Sequence, residues 1–273
     1  MLLRRNVAVL LLMMLWGTSA YGAEESMAMP TMQGGVAPAN ARDPHAYSDG
    51  YDFAMQPRME MADEEIMSGL LINRLERVKN SKDLYSSVYE LQGWIGKDYE
   101  RLVIKAEGDV SEDKLQDSRT ELLWSHAVSA YWNTQLGIRH DRGVSPSQNW
   151  LAFGVQGLAP YWFDMDVTAY VAEQGHTALR LSAEYELLLT QKLILQPRFE
   201  ANIYGAADDA REIGSGLSNT VAGVRMRYEI KREFAPYIGI DWTRKYGRTA
   251  EHAELAGANA QDTNLVAGLR VWF

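Results

Sequence analysis

The 273-residue chain contains no cysteine. Disulfide staples and thiolate metal sites are therefore excluded, and any soft metal must be held by methionine sulfur, imidazole or carboxylate. Positive charge is scarce: 27 Lys and Arg stand against 36 Asp and Glu, for a net charge of -9. Nucleic acid rewards basic surfaces and is not an expected partner. Beyond the first 23 residues no apolar run approaches the roughly 20 residues that a membrane-spanning helix needs. That absence does not exclude strands, which cross a bilayer by alternating lipid-facing apolar with lumen-facing polar residues. Catalytic words are missing as well, with no nucleophile elbow, phosphate loop or zinc-protease helix. Ser125 and His126 are adjacent and would point to opposite faces of a strand. No enzyme is expected.

What is present begins with an export signal. Residues 1–23 carry Arg4 and Arg5, an apolar run from Val7 to Trp16, and small residues between Ala20 and Ala23 where cleavage would fall. Residues 24–62 follow as a flexible periplasmic arm with Pro30, Pro38, Pro44 and Pro57 and no periodic apolar face. Such a segment lacks the apolar content to offset its chain entropy. From residue 63 to 273 the texture is that of an antiparallel transmembrane β-barrel.

Period two carries that reading. Phe163 to Val171 places Phe, Met, Val, Ala and Val at odd positions, with Asp164, Asp166 and Thr168 between them. Leu179 to Leu187 and Leu193 to Ile203 alternate in the same way against Arg180, Glu184, Glu186, Arg198 and Glu200. Charges at every second position would encircle a helix, so strands fit better. About twelve segments result: 69–78, 87–97, 100–108, 118–128, 133–142, 149–159, 163–173, 177–190, 192–204, 216–231, 234–246 and 262–273. Long polar connections (108–117, 204–216, 246–261) alternate with tight turns at 97–100, 160–163, 190–192 and 232–234. Long outside and short inside is the asymmetry of outer-membrane barrels, and aromatics beside the tight turns suit an interfacial girdle in outer-membrane lipid. The final strand alternates Leu265, Ala267, Leu269, Val271 and Phe273, with Asn264, Gly268, Arg270 and Trp272 facing inward.

The alternation turns many charges into the lumen. One reading is a mutually neutralising network of carboxylates and arginines. The sharper one is that surplus carboxylates, Asp164 and Asp166 among them, line a cation path. His126 and His140 fall on neighbouring segments and are the barrel's candidate imidazole ligands. In the arm, Met27, Met29 and Met32 lie close together, Met59 and Met61 repeat the spacing, and Met55 and His45 join them. Thioether sulfur is soft and favours Cu(I) over hard ions.

Several words of the sequence resemble the copper resistance protein B family. They are residues 42–51 (RDPHAYSDGY), 157–163 (GLAPYWF), 177–181 (TALRL), 187–197 (LLLTQKLILQP), 213–218 (IGSGLS) and 232–237 (REFAPY), in the family's order. The resemblance implies an outer-membrane barrel with a periplasmic Met/His arm, associated with copper binding and export. It carries over His45 and the arm methionines. Many members hold long Met, His, Asp and Gly runs before the linker, whereas residues 24–41 here contain no histidine. Copper would be the bound or transported ion, and a periplasmic copper-binding protein that loads the arm would be its partner. The alternative is a structural or nonspecific pore-forming barrel without metal preference.

Overall fold

The computed structural model describes residues 65–111 and 114–273. The leader and the arm lie outside the described residues, and with them Met27, Met29, Met32, His45, Met55, Met59 and Met61. The rest is a closed antiparallel barrel. Its strands are β1 (Met67–Lys79), β2 (Tyr85–Gly96), β3 (Glu100–Ser111), β4 (Lys114–Ser129), β5 (Trp132–Gly143) and β6 (Gln148–Ala159). They continue with β7 (Phe163–Ala172), β8 (Thr177–Glu184), β9 (Leu187–Leu188), β10 (Leu193–Tyr204), β11 (Gly216–Tyr228), β12 (Phe234–Lys245) and β13 (Gln261–Trp272). Neighbours in sequence pair with each other, except that β8 and β9 both pair with β10, and β1 closes the ring against β13. Because β8 and β9 share one position in the wall, the barrel has twelve staves.

The split between β8 and β9 corrects the single segment expected at 177–190. Its cause is Pro197 of β10, which faces this stave. The Pro197 carbonyl accepts a hydrogen bond from the Tyr185 amide at 3.1 Å, but proline has no N–H to return. The ladder lapses there and resumes at Leu187 and Leu188, opposite Leu195 and Ile194. A second correction concerns 108–117, read as a loop. Here β3 and β4 run on as a hairpin arm, with Gly108 opposite Ser118 and Ser111 opposite Lys114. A third is the 246–261 connection, which contains helix α1 (Gly247–Leu255). Thr249 of α1 accepts a hydrogen bond from the Gly214 amide, tying two long connections together at the loop end of the barrel.

The outer wall is apolar. Leu102, Leu122, Ile138, Leu151, Phe153 and Ile238 are all exposed, at 43% to 66%. A continuous band of this kind belongs against hydrocarbon rather than water. At the turn end Tyr161 and Trp162 both adopt left-handed backbone, φ 68° and 67°, in a conformation usually given to glycine or asparagine. The turn holds both rings exposed beside Tyr131, whose ring meets Trp162 edge-on at 6.3 Å.

Inside, one side of the lumen is packed. Val103, Leu123, Trp150, Ala152 and Tyr170 form a buried apolar cluster. Gly137 lets β5 approach β4 here, since a Cβ on it would sit 2.0 Å from the Leu122 carbonyl oxygen. Gly137→Ala is expected to lower folding stability by about 1–3 kcal/mol, the usual cost of overpacking. A urea titration followed by the gel shift between folded and unfolded barrel would measure it. An unchanged midpoint would mean that the two strands separate at little cost.

Candidate functional site

The site is the lumen wall. Its polar lining follows from the pleat, because every second residue of each strand turns inward. On β7 these are Asp164, Asp166, Thr168 and Tyr170; on β3 they are Lys105 and Glu107.

A belt of ion pairs crosses the middle of the lumen. Arg180 of β8 donates to both carboxylate oxygens of Glu107 on β3, each at 2.9 Å, and to Glu200 of β10 at 3.0 Å. Arg119 lies 2.8 Å from Glu107, Arg198 lies 3.2 Å from Glu200, and Arg74 pairs with Glu90. Since β3 and β8 stand on opposite sides of the ring, the Arg180–Glu107 pair is a strut across the channel. Arginine suits this role because its planar fork engages two carboxylate oxygens at once.

Two further clusters hold the wall. Arg225 of β11 donates to Glu76 of β1 at 2.7 Å and to both oxygens of Asp241 on β12 at 3.0 and 2.9 Å. The Tyr237 hydroxyl also donates to Glu76 at 3.0 Å. On the packed side, Arg139 makes a two-pronged pair with Asp141, and Asp141 also accepts from Trp150 and from Arg211 of the 205–215 connection. A loop side chain is thereby drawn into the barrel mouth.

Below the belt, toward the turn end, the arrangement changes. Lys105 donates to Asp166 at 2.6 Å and to Gln135 at 3.0 Å. Asp164, one step nearer the turns, stands opposite Glu184 in register and makes no ion pair among the described residues. A central cavity of about 140 Å³ and a turn-end cavity of about 310 Å³ share Gln92, Gln156 and Asp164 in their linings. At the loop end a cavity of about 570 Å³ is bordered by Arg74 and Glu76. The Arg74–Glu90 pair separates it from the central one.

The four candidate ligands within the described residues do not converge. Asp164 and Asp166 face the lumen as expected. His126 and His140 are on the outer face: His126 lies beside the Trp124 ring, 5.8 Å between centroids, and His140 is 2.7 Å from Asn149. Odd positions of β4 and β5 turn inward (Glu121, Ser125, Arg139, Asp141), so these even-numbered histidines cannot reach the lumen carboxylates. Among the described residues no group of three or more His, Asp or Glu is placed to hold a metal ion. Sequence reasoning missed Arg74, Glu76 and Arg211. A bulge between Ile72 and Arg74 reverses the phase of β1, so that Asn73 and Arg74 both reach Glu90. The successive apolar residues Leu70, Leu71 and Ile72 were the available sign of it. Nothing local marks Arg211, which acts from a connection.

Against known proteins, a family model described as "Copper resistance protein B precursor (CopB)" matches residues 66–273. A "Copper resistance protein B homolog" of Pseudomonas syringae pv. tomato is 39% identical over 252 residues, covering 91% of this chain and 85% of its own. "Copper resistance protein B" of Escherichia coli is 41% identical over 204 residues, covering 75% of this chain and 69% of its own. Among solved structures, a NanC porin superposes with a TM-score of 0.50 at 10% identity, covering 72% of this chain and 98% of that one. At that identity the likeness concerns the fold alone.

Proposed function

Because the chain belongs to the copper resistance protein B family, we propose that it binds copper ions in the periplasm and supports their export across the outer membrane. Family membership over the whole barrel is the observation that carries the reading. The apolar outer wall supports an outer-membrane location, in contact with lipid. The tight turns and the last strand share one end, the arrangement of a barrel whose turn end faces the periplasm. The arm, with Met27, Met29, Met32, His45, Met55, Met59 and Met61, would capture soft copper there. Asp164 and Glu184 would then draw cations toward the turn-end cavity. No energy source is evident in the barrel, so movement would be downhill or driven by a periplasmic copper-binding protein that loads the arm. The reading assigns no enzymatic step.

The test is copper content and growth in copper for cells lacking the protein, complemented with the full chain or with a chain lacking residues 24–62. The full chain is expected to lower cell copper and restore growth, and the shortened one to do neither. Equal copper content with and without the full chain would sink the export reading. A plugged structural barrel is the second reading, favoured by the struts across the lumen. It predicts that neither chain alters copper content.

A further inference from the structure

The geometry points to Lys105 as a tethered counter-cation that sets the barrel's selectivity: its ammonium holds the place at Asp166 and Gln135 that a travelling, oxygen-bound divalent cation must take. This rests on the reading that cations cross the lumen, and deepens it by naming the gating residue and the class of ion.

The position is the first argument. Asp166 lines the central cavity and Gln135 lines the turn-end cavity, so Lys105 joins the walls of both. An ion moving inward from the turn end meets Asp164 first and Lys105 next.

Preorganisation is the second. The other oxygen of Asp166 accepts from the Thr168 hydroxyl at 2.7 Å, and the Gln135 amide nitrogen donates to Gln156 at 2.8 Å. Both oxygens therefore stay aimed at the ammonium's position when the ammonium leaves. They form a receptor for positive charge whose present occupant is covalently attached.

The choice of residue is the third. The belt above is built from the arginines 74, 119, 180 and 198, held in shared ion pairs, and Arg180 grips both oxygens of Glu107 at once, a fork that resists displacement. Lysine presents a point charge on a flexible stem, and it makes two hydrogen bonds here with three donors. It can swing aside.

The donor set is the fourth. Around this position the lining offers carboxylate, amide and hydroxyl oxygen. Met165 and Met226, His126 and His140 stand on the outer face, so among the described residues none of them can pass a soft ion along the lumen. Oxygen donors favour a hard or borderline divalent ion such as Cu²⁺ over Cu(I). An ion held by the arm's thioethers would then have to exchange sulfur for oxygen ligands before crossing.

The test uses the full-length protein refolded into planar bilayers under a KCl gradient. Lys105→Met is expected to raise conductance about threefold, the factor that roughly 0.7 kcal/mol off a barrier would give, and to move the reversal potential toward cation selectivity. Asp166→Asn is expected to move it the opposite way, and Lys105→Arg, which keeps the charge but can fork onto Asp166 and resist displacement, to conduct less than wild type. A purely structural ion pair predicts that Lys105→Met and Asp166→Asn act alike. Shifts of the same sign, or none in either variant, overturn the proposal. Added CuCl₂ should block the K⁺ current of Lys105→Met more strongly than that of wild type, and equal block would also count against it. Opposite-sign shifts in bilayers with no copper phenotype in cells would leave the gate standing while the copper reading fails.

Discussion

Arg225→Met is expected to be the most destabilising single change in the barrel, lowering folding stability by about 3–5 kcal/mol, the cost of breaking a buried pair by removing one partner. Arg225 is 3% exposed and holds two carboxylates that are themselves buried, Glu76 at 3% and Asp241 at 7%. Methionine fills much of the same volume, so the loss isolates charge and hydrogen bonding from packing. Two buried carboxylates would remain facing each other without a cation. Adding Glu76→Gln and Asp241→Asn to the same chain should recover much of the loss, because the surviving groups are then neutral and can bond to one another or to Tyr237. The urea midpoint of the folded-to-unfolded gel shift reports both results. A midpoint unmoved by Arg225→Met would show that water reaches this cluster freely.

Arg180→Ala should have the largest effect on conduction. The side chain spans the lumen and is shared by Glu107 and Glu200. Its removal takes away a strut and leaves the two carboxylates to Arg119 and Arg198, which hold them against their own walls. Single-channel conductance is expected to rise about tenfold, equivalent to about 1.4 kcal/mol off the barrier. The stability loss should be smaller than at Arg225, since Arg180 is partly hydrated and both its partners keep a second cation. Conductance at the wild-type level would mean that the channel is closed elsewhere, at the packed Trp150 and Tyr170 side or at Arg211.

Much of this architecture was legible in the sequence, for a definite reason. Period-two alternation is local, and β7, β10 and β13 show it without interruption. Their inward residues Asp164, Asp166, Arg198, Glu200 and Arg270 could be assigned to the lumen directly. The twelve staves and the tight turns followed from the same count. What escaped depended on non-local facts. The bulge at Asn73 reverses β1; the apolar run Leu70 to Ile72 hints at it, but its place is fixed by the pairing with β2 and β13. The gap opposite Pro197 depends on which neighbour the missing N–H faces. The hairpin arm at 108–117 is polar because it runs beyond the apolar band, and polarity alone made it resemble a loop. The outward placement of His126 and His140, by contrast, was within reach of the same local alternation, since they are out of phase with the inward Glu121, Arg139 and Asp141. Which arginine meets which carboxylate across the lumen is set by barrel closure, and no local pattern encodes that.

The pairing of β1 with β13 has a kinetic side. Every other seam joins strands that are near neighbours in the chain, whereas Leu71 meets Trp272 from opposite ends of the barrel sequence. Hairpins along the chain can form early at little loop-closure cost, but this contact must wait for the whole sheet to curl. Until then the chain is an open sheet with two raw edges, able to pair with any strand it meets. The Arg225–Glu76 bond crosses from β11 to β1 over that seam. It acts as a latch on the last step of assembly, and a chain weakened there would spend longer as an open, aggregation-prone sheet.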